Sequence, residues 1–210
     1  MRATTVFNFF IMQYNNFIKE QCKLHKGASV VSQVRHKVFI SFHQDDREEV
    51  DNFIETFDEE RNVFISRALG IGMNEDVINS SDVDYVMSRI RELYLIDSTV
   101  TIVLIGKFTW ARRYVDWEIQ SSLRHGRTVT ANGLLGIKLS SYRNNEYPNR
   151  LNLNLKQNDE QEDCYARVIS YPQRRDTLAR WIDDAYRART TRDHLIVNPR
   201  DRFSYNKSCP

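Results

Sequence analysis

The sequence predicts an open, mostly parallel five-stranded α/β sheet with helices on both faces. Three observations lead there. Short apolar runs rich in β-branched residues alternate with helical patterns about five times along the 210 residues. Repetition of that kind builds parallel sheets joined by crossover helices. The run Thr99 to Ile105 is closed by Gly106, and it is too short for a core helix but suits a strand buried on both faces. After a brief loop, Val115, Ile119 and Leu123 recur in four-residue steps, one face of a helix and the second half of a strand–helix unit.

The remaining elements come in order. Lys37 to Phe42, KVFISF, reads as a central strand. It runs into HQDD, where Asp45 or Asp46 is placed to cap a helix with Glu48 and Glu49 in its first turn. Val50, Phe53, Ile54 and Phe57 form that helix's apolar face. Asn62 to Ser66 is a second strand, and residues 67–82 form a loop long enough to cover a pocket. A helix starts at Ser81 or Asp82, with Val83, Val86, Ile90 and Leu93 inward. Gly133 to Leu139 and Tyr165 to Tyr171 are the fourth and fifth strands, the latter closed by Pro172. Between them, residues 140–163 read as a long polar surface loop. Thr177 to Arg189 is the last helix, with Leu178, Trp181, Ile182 and Ala185 as its apolar face. Residues 1–36 read as an N-terminal extension, 37–190 as the domain and 191–210 as a loose C-terminal tail.

Composition narrows the class. The chain is 41% hydrophobic and 28% charged with net charge +2, a globular balance. Both ends are basic, with six basic residues against one acidic in Met1–Lys37 and nine against five in Arg174–Pro210. A solvated surface is the simpler account of these ends, and nucleic acid is not the expected partner. Cys22, Cys164 and Cys209 are odd in number and far apart, which suits free thiols in a reducing, cytoplasmic setting. The apolar run near the start is too short to span a membrane, and it lacks a small-residue cleavage site, so a secretory leader is the lesser expectation.

Several uses of such a fold fail by residue. No GxGxxG follows the first strand, where HQDDREE would place carboxylates against a pyrophosphate. No GxxxxGK[ST] is present, and Gly70 and Gly72 fit no phosphate-cradling pattern. A phospho-receiver would need an aspartate at the end of the third strand, and TVTIVLIGKF has none. His25, His36, His125 and His194 show no metal-ligand spacing, so no metal is expected. What stands out is Glu118. In open α/β sheets the ligand crevice lies outside the carboxyl ends of the strands. A carboxylate about two turns into a helix leaving such an end reaches that crevice. Taken alone, a glutamate on a charged helix is more often solvated. Asp45 and Asp46 are helix caps first, Arg112 and Arg113 suit a surface or a phosphate equally, and Trp110, Trp117 and Phe42 suit the core.

KVFISFHQDD, TVTIVLIG and FTWARRYVDWEI together resemble the TIR-like domain family, and within it the NAD-consuming branch of bacterial Thoeris anti-phage defence. Ser41, Phe42 and His43 match the SFH motif. Arg112, Arg113, Tyr114, Trp117, Glu118 and Ile119 match the later helix. The wider TIR family usually has Trp four residues before its glutamate, and here that place holds Tyr114. The resemblance covers about residues 37 to 190 and implies a flavodoxin-like, TIR-like open sheet. It implies cleavage of the nicotinamide–ribose bond of NAD⁺, with Glu118 catalytic and Ser41, Phe42, His43, Arg112, Arg113, Tyr114 and Trp117 around the substrate. NAD⁺ is then substrate, with no resident cofactor. The implied product is a cyclic ADP-ribose isomer or related conjugate that activates a separate effector. A phage-derived activator and self-assembly belong to the same expectation. The competing expectation is a non-enzymatic TIR-like interaction domain.

Overall fold

A computed structural model describes residues 34–69, 82–143, 145–155 and 164–208. The chain divides into Met1–Val34 and Arg35–Pro210, and the sheet with all its helices belongs to the second unit. Residues 1–33 of the expected N-terminal extension and residues 70–81, most of the pocket-covering loop, lie outside the described residues.

Five parallel strands form one sheet in the order β2-β1-β3-β4-β5. They are β1 (Lys37–Ser41), β2 (Ile65–Leu69), β3 (Val100–Ile105), β4 (Gly133–Lys138) and β5 (Arg167–Ile169). The helices are α1 (Arg47–Ile54), α2 (Val83–Ile90), α3 (Arg113–Ser122), α4 (Asn149–Asn152) and α5 (Arg175–Thr191). The strand order reverses between β1 and β3, so their carboxyl ends flank the place where such sheets bind ligands.

Alternation along the strands sorts the core into two faces. Val38, Ile40, Ile102, Leu104, Leu135 and Ile137 pack with Val50 and Phe53 of α1, Phe57 just after it, and Leu178 and Ile182 of α5. Val103, Ile105 and Leu134 pack on the other face with Val115 and Ile119 of α3 and Leu123 at its C-cap. Every residue of β3 is buried, as the apolar run requires. Val86, Met87 and Ile90 of α2 enclose Trp117.

The structure departs from the sequence reading at identifiable places. β2 begins three residues later than expected. The chain leaves α1 through a wide π-helical turn, Glu55–Glu60, and Asn62 takes a left-handed φ of 50°, which Asn tolerates at a helix end. Val63 N–H returns to the Phe57 carbonyl, so Asn62 to Phe64 are spent on the exit. A second π-turn, Arg91–Leu95, continues α2. It shifts the helical phase, so Leu93 is 43% exposed rather than inward.

The tail is not loose. Arg150, 2% exposed, makes five hydrogen bonds. Two go to the buried Asp116 carboxylate of α3, at 3.0 and 3.2 Å, and three to Asn198 Oδ1 and the Pro199 and Asp201 carbonyls. Residues 197–207 of the tail form a strap that continues along α3: Phe203 N–H donates to Asp116 Oδ2, Trp117 Nε1–H to the Phe203 carbonyl, and Lys207 N–H to the Ala111 carbonyl. The expected polar surface loop therefore supplies a buried arginine that anchors the tail.

Truncating one partner of a buried ion pair strands the other charge, typically at about 3–5 kcal/mol. Arg150→Ala should therefore lower unfolding free energy in urea by about 3 kcal/mol or more. It should also speed tryptic cleavage at Arg200 and Arg202 under native conditions.

Candidate active site

Glu118 lies in the middle of α3, 3% exposed. Its Oε2 accepts a 2.6 Å hydrogen bond from Ser41 Oγ–H, at the carboxyl end of β1. The pair spans the two sides of the sheet's switch point, one from the first strand and one from the helix after the third. A buried polar chain fixes α3 from below. Asn132 Nδ2–H donates to Ser98 Oγ and Thr101 Oγ1, Thr101 to Ser122 Oγ, and Ser122 to the Glu118 carbonyl. Buried hydroxyls with every donor spent hold one arrangement. None of these four residues carried a functional signal in the sequence.

Burial pushes the Glu118 carboxyl up to about 8, and the Ser41 hydrogen bond partly opposes this. At neutral pH the group is mostly protonated in the free protein.

The loops at this end of the sheet are laced by carboxylates. Asp46 sits at the α1 N-cap position without making a capping hydrogen bond. It accepts instead from Thr109 Oγ1–H at 3.2 Å, after β3, and Ser141 Oγ–H at 3.3 Å, after β4. Gly106 is required by this approach, since a Cβ there would lie 2.1 Å from Asp46 Oδ1. Burial raises the Asp46 pKa, with the Thr109 hydrogen bond opposing. Glu49 goes the other way: burial would raise it, but hydrogen bonds from Ser140 and Ser141 hold it below the ordinary value.

The other site residues expected from the sequence fall into two groups. His43 follows Ser41 by two residues, with Nε2 3.1 Å from Asp45 Oδ2. Its pKa is lowered by burial first and then by the Arg112 charge, which places His43 and Arg112 in one electrostatic neighbourhood. Arg112 Cζ lies 5.8 Å from the Phe108 ring centre, and Lys107 Nζ 4.7 Å from the same ring. Lys107 and Phe108 thus join the rim of this end, although sequence reasoning passed over them. The second group faces elsewhere. Phe42 packs in the α1 core, and Trp117 packs against α2 with Tyr114 against it. Arg113 bonds Tyr114 Oη and the Ser204 carbonyl, on the strap side.

Residues 39–144 match the family model for the Thoeris protein ThsB, TIR-like domain. The chain belongs to this family. The match covers half of the chain, from β1 past β4. It takes in Ser41, His43, Arg112 and Glu118, and it stops before the strap. Membership in a TIR-like family suggests an NAD⁺-related signalling role. No curated protein is a match for the chain. Among the described residues of this ThsB-family chain, no helix is long and apolar enough to cross a membrane.

The raised Glu118 pKa gives a stability signature. Between pH 4.5 and about 8 the unfolded chain ionises this carboxyl while the folded chain keeps its proton. Unfolding then releases a proton, so stability falls as pH rises through that window, by up to about 1.4 kcal/mol per pH unit. Glu118→Gln should remove this slope and gain stability relative to wild type at pH 8, read by urea denaturation across pH 5 to 9.

Proposed function

We propose that the protein cleaves the nicotinamide–ribose bond of NAD⁺. We further propose that it passes the ADP-ribose unit on as a cyclic isomer or related conjugate, a signal to a separate effector in anti-phage defence. The observation that carries this reading is the Ser41–Glu118 hydrogen bond at the β1/β3 switch point, within the matched family segment.

The chemistry suits a single buried carboxyl. The glycosidic C–N bond breaks with its electron pair leaving on nicotinamide. The pyridinium becomes neutral, so no general acid is needed. Positive charge develops on the ribose, and a carboxylate beside it stabilises that charge. The cationic substrate itself corrects the protonation state of Glu118. A unit charge 4 Å away at an effective dielectric near 20 is worth about 4 kcal/mol, or about three pKa units. That is enough to return a carboxyl near 8 to the ionised form. Ser41 holds the carboxylate in place, and a neutral His43 can hydrogen-bond ribose or phosphate. The Arg112 and Lys107 charges suit the diphosphate. In this reading the enzyme works in the cytoplasm, assembles with copies of itself and is switched on by a phage component.

Glu118→Gln should lower nicotinamide release by about 100-fold or more, the cost typical of losing a preorganised charge stabiliser. The measurement is NAD⁺ consumption in lysate from phage-infected cells, with products resolved by mass and retention. A cyclic ADP-ribose-like product in wild type alone supports the proposal. No turnover with folded protein across several phages would leave the interaction domain as the better account. Ser41→Ala removes the hydrogen bond that favours the carboxylate. It should reduce kcat/KM and move its rise with pH to higher pH.

A further inference from the structure

Away from Glu118, a cavity of about 530 Å³ opens between α2, the C-terminal half of α3 and the strap. Arg91, Arg124, Arg200 and Arg202 all line it, together with His125 and the single acid Asp84. A second cavity, of about 540 Å³, adjoins it and shares Arg91, Ser121 and Arg124. The arginines come from three separate segments, so no one helix accounts for their convergence. A cation after α3 offsets that helix's dipole, which explains Arg124 but not the other three.

The charges are poorly compensated. Arg202 Nη1 is 3.5 Å from Asp84 Oδ1, whose side chain is 92% exposed. Glu92 is engaged by Arg89 at 3.1 Å. Among the described residues, Arg91 and Arg124 form no ion pair within 4.0 Å, although Glu92, which lines the adjoining cavity, and Asp84 act on Arg91 from farther off. The Arg91 pKa is lowered by burial first and then by the neighbouring Arg124 charge; Glu92 and Asp84 oppose the shift, and Arg202 adds to it. Arg91 also opens the π-turn of α2, and such turns recur at functional sites.

We infer that this arginine-lined cavity is a second binding site, for a small anion carrying two or more phosphates. Guanidinium forks pair with phosphate oxygens bidentately, and a multiply charged anion relieves their mutual repulsion. The volume suits a small ligand rather than a macromolecular surface. No Trp, Tyr or Phe lines either cavity among the described residues, and phosphate is the group that the four arginines recognise in common. Ser121, Thr128 and Thr130 of the adjoining cavity offer hydroxyls to the remaining oxygens. Because the arginines come from the π-turn after α2, the end of α3 and the strap, a bound polyphosphate ties together the three segments around the helix that carries Glu118. The site stands independently of NAD⁺ cleavage.

The test is isothermal titration calorimetry of the full chain with inorganic pyrophosphate at low salt. Wild type should bind, and more weakly as salt rises. Arg91→Gln/Arg124→Gln should weaken binding at least 10-fold, and Arg200→Gln/Arg202→Gln should do the same from the other wall. Each variant's melting is compared with wild type, and the strap pair supplies the answer if the helix pair fails to fold. Glu118→Gln should bind pyrophosphate as wild type does, which separates this site from the proposed NAD⁺ site. Absence of pyrophosphate binding would overturn the inference. So would unchanged affinity in the folded arginine variants, loss of binding in Glu118→Gln, or binding of duplex DNA in place of pyrophosphate.

Discussion

The hydrogen bond from Ser41 to Glu118 joins the two halves of the sheet's switch point. A carboxyl in that position is costly, because burial disfavours its charge and drives its pKa to about 8. The fold tolerates the cost through neighbours that fix the group on every side. Ser41 holds the carboxyl, the Asn132–Thr101–Ser122 chain holds the helix backbone beneath it, and Asp46 and Glu49 hold the surrounding loops. A positive charge arriving beside a carboxyl so placed would offset the burial penalty.

The outer side of α3 is organised by a second buried charge. Arg150 and Asp116 form an enclosed ion pair with side-chain exposures of 3% and 4%, and the arginine's remaining donors hold the strap carbonyls. The same helix thus carries the Glu118 carboxyl toward the sheet and the strap's anchor away from it. Whatever moves the strap acts on a helix whose inner face is rigidly seated. That division leaves the arginine-lined cavity, beside Gln120 and Ser121 of α3, on the strap side of the helix.

Much of this was legible in the sequence. β1, β3, β4 and α5 were read from periodicity, and all of β3 is buried. The prominence of Glu118 came from its place after a strand and from the family motifs around it. The Ser41–Glu118 pairing was beyond periodicity, because residues 77 positions apart meet only through the parallel pairing of β1 with β3. Helix phase failed where π-turns broke the 3.6-residue period, as at Leu93, and β2 began late because Asn62 turns out of α1 first. The strap was hidden for a different reason. Its sequence is polar, and it is held by backbone carbonyls accepting from Arg150 and Gln120, an interaction that leaves no hydrophobic pattern.

The claim on which the rest depends is that Glu118 is a buried, Ser41-bonded carboxyl with a strongly raised pKa. It is tested most directly by titrating the Glu118 side-chain carbonyl carbon by ¹³C NMR, using Glu118→Gln to assign the signal. A midpoint near 8, rising further in Ser41→Ala, is the expected result. A midpoint near 4.5 that ignores Ser41 would mean a solvated carboxyl without the hydrogen bond, and would contradict the account of the site.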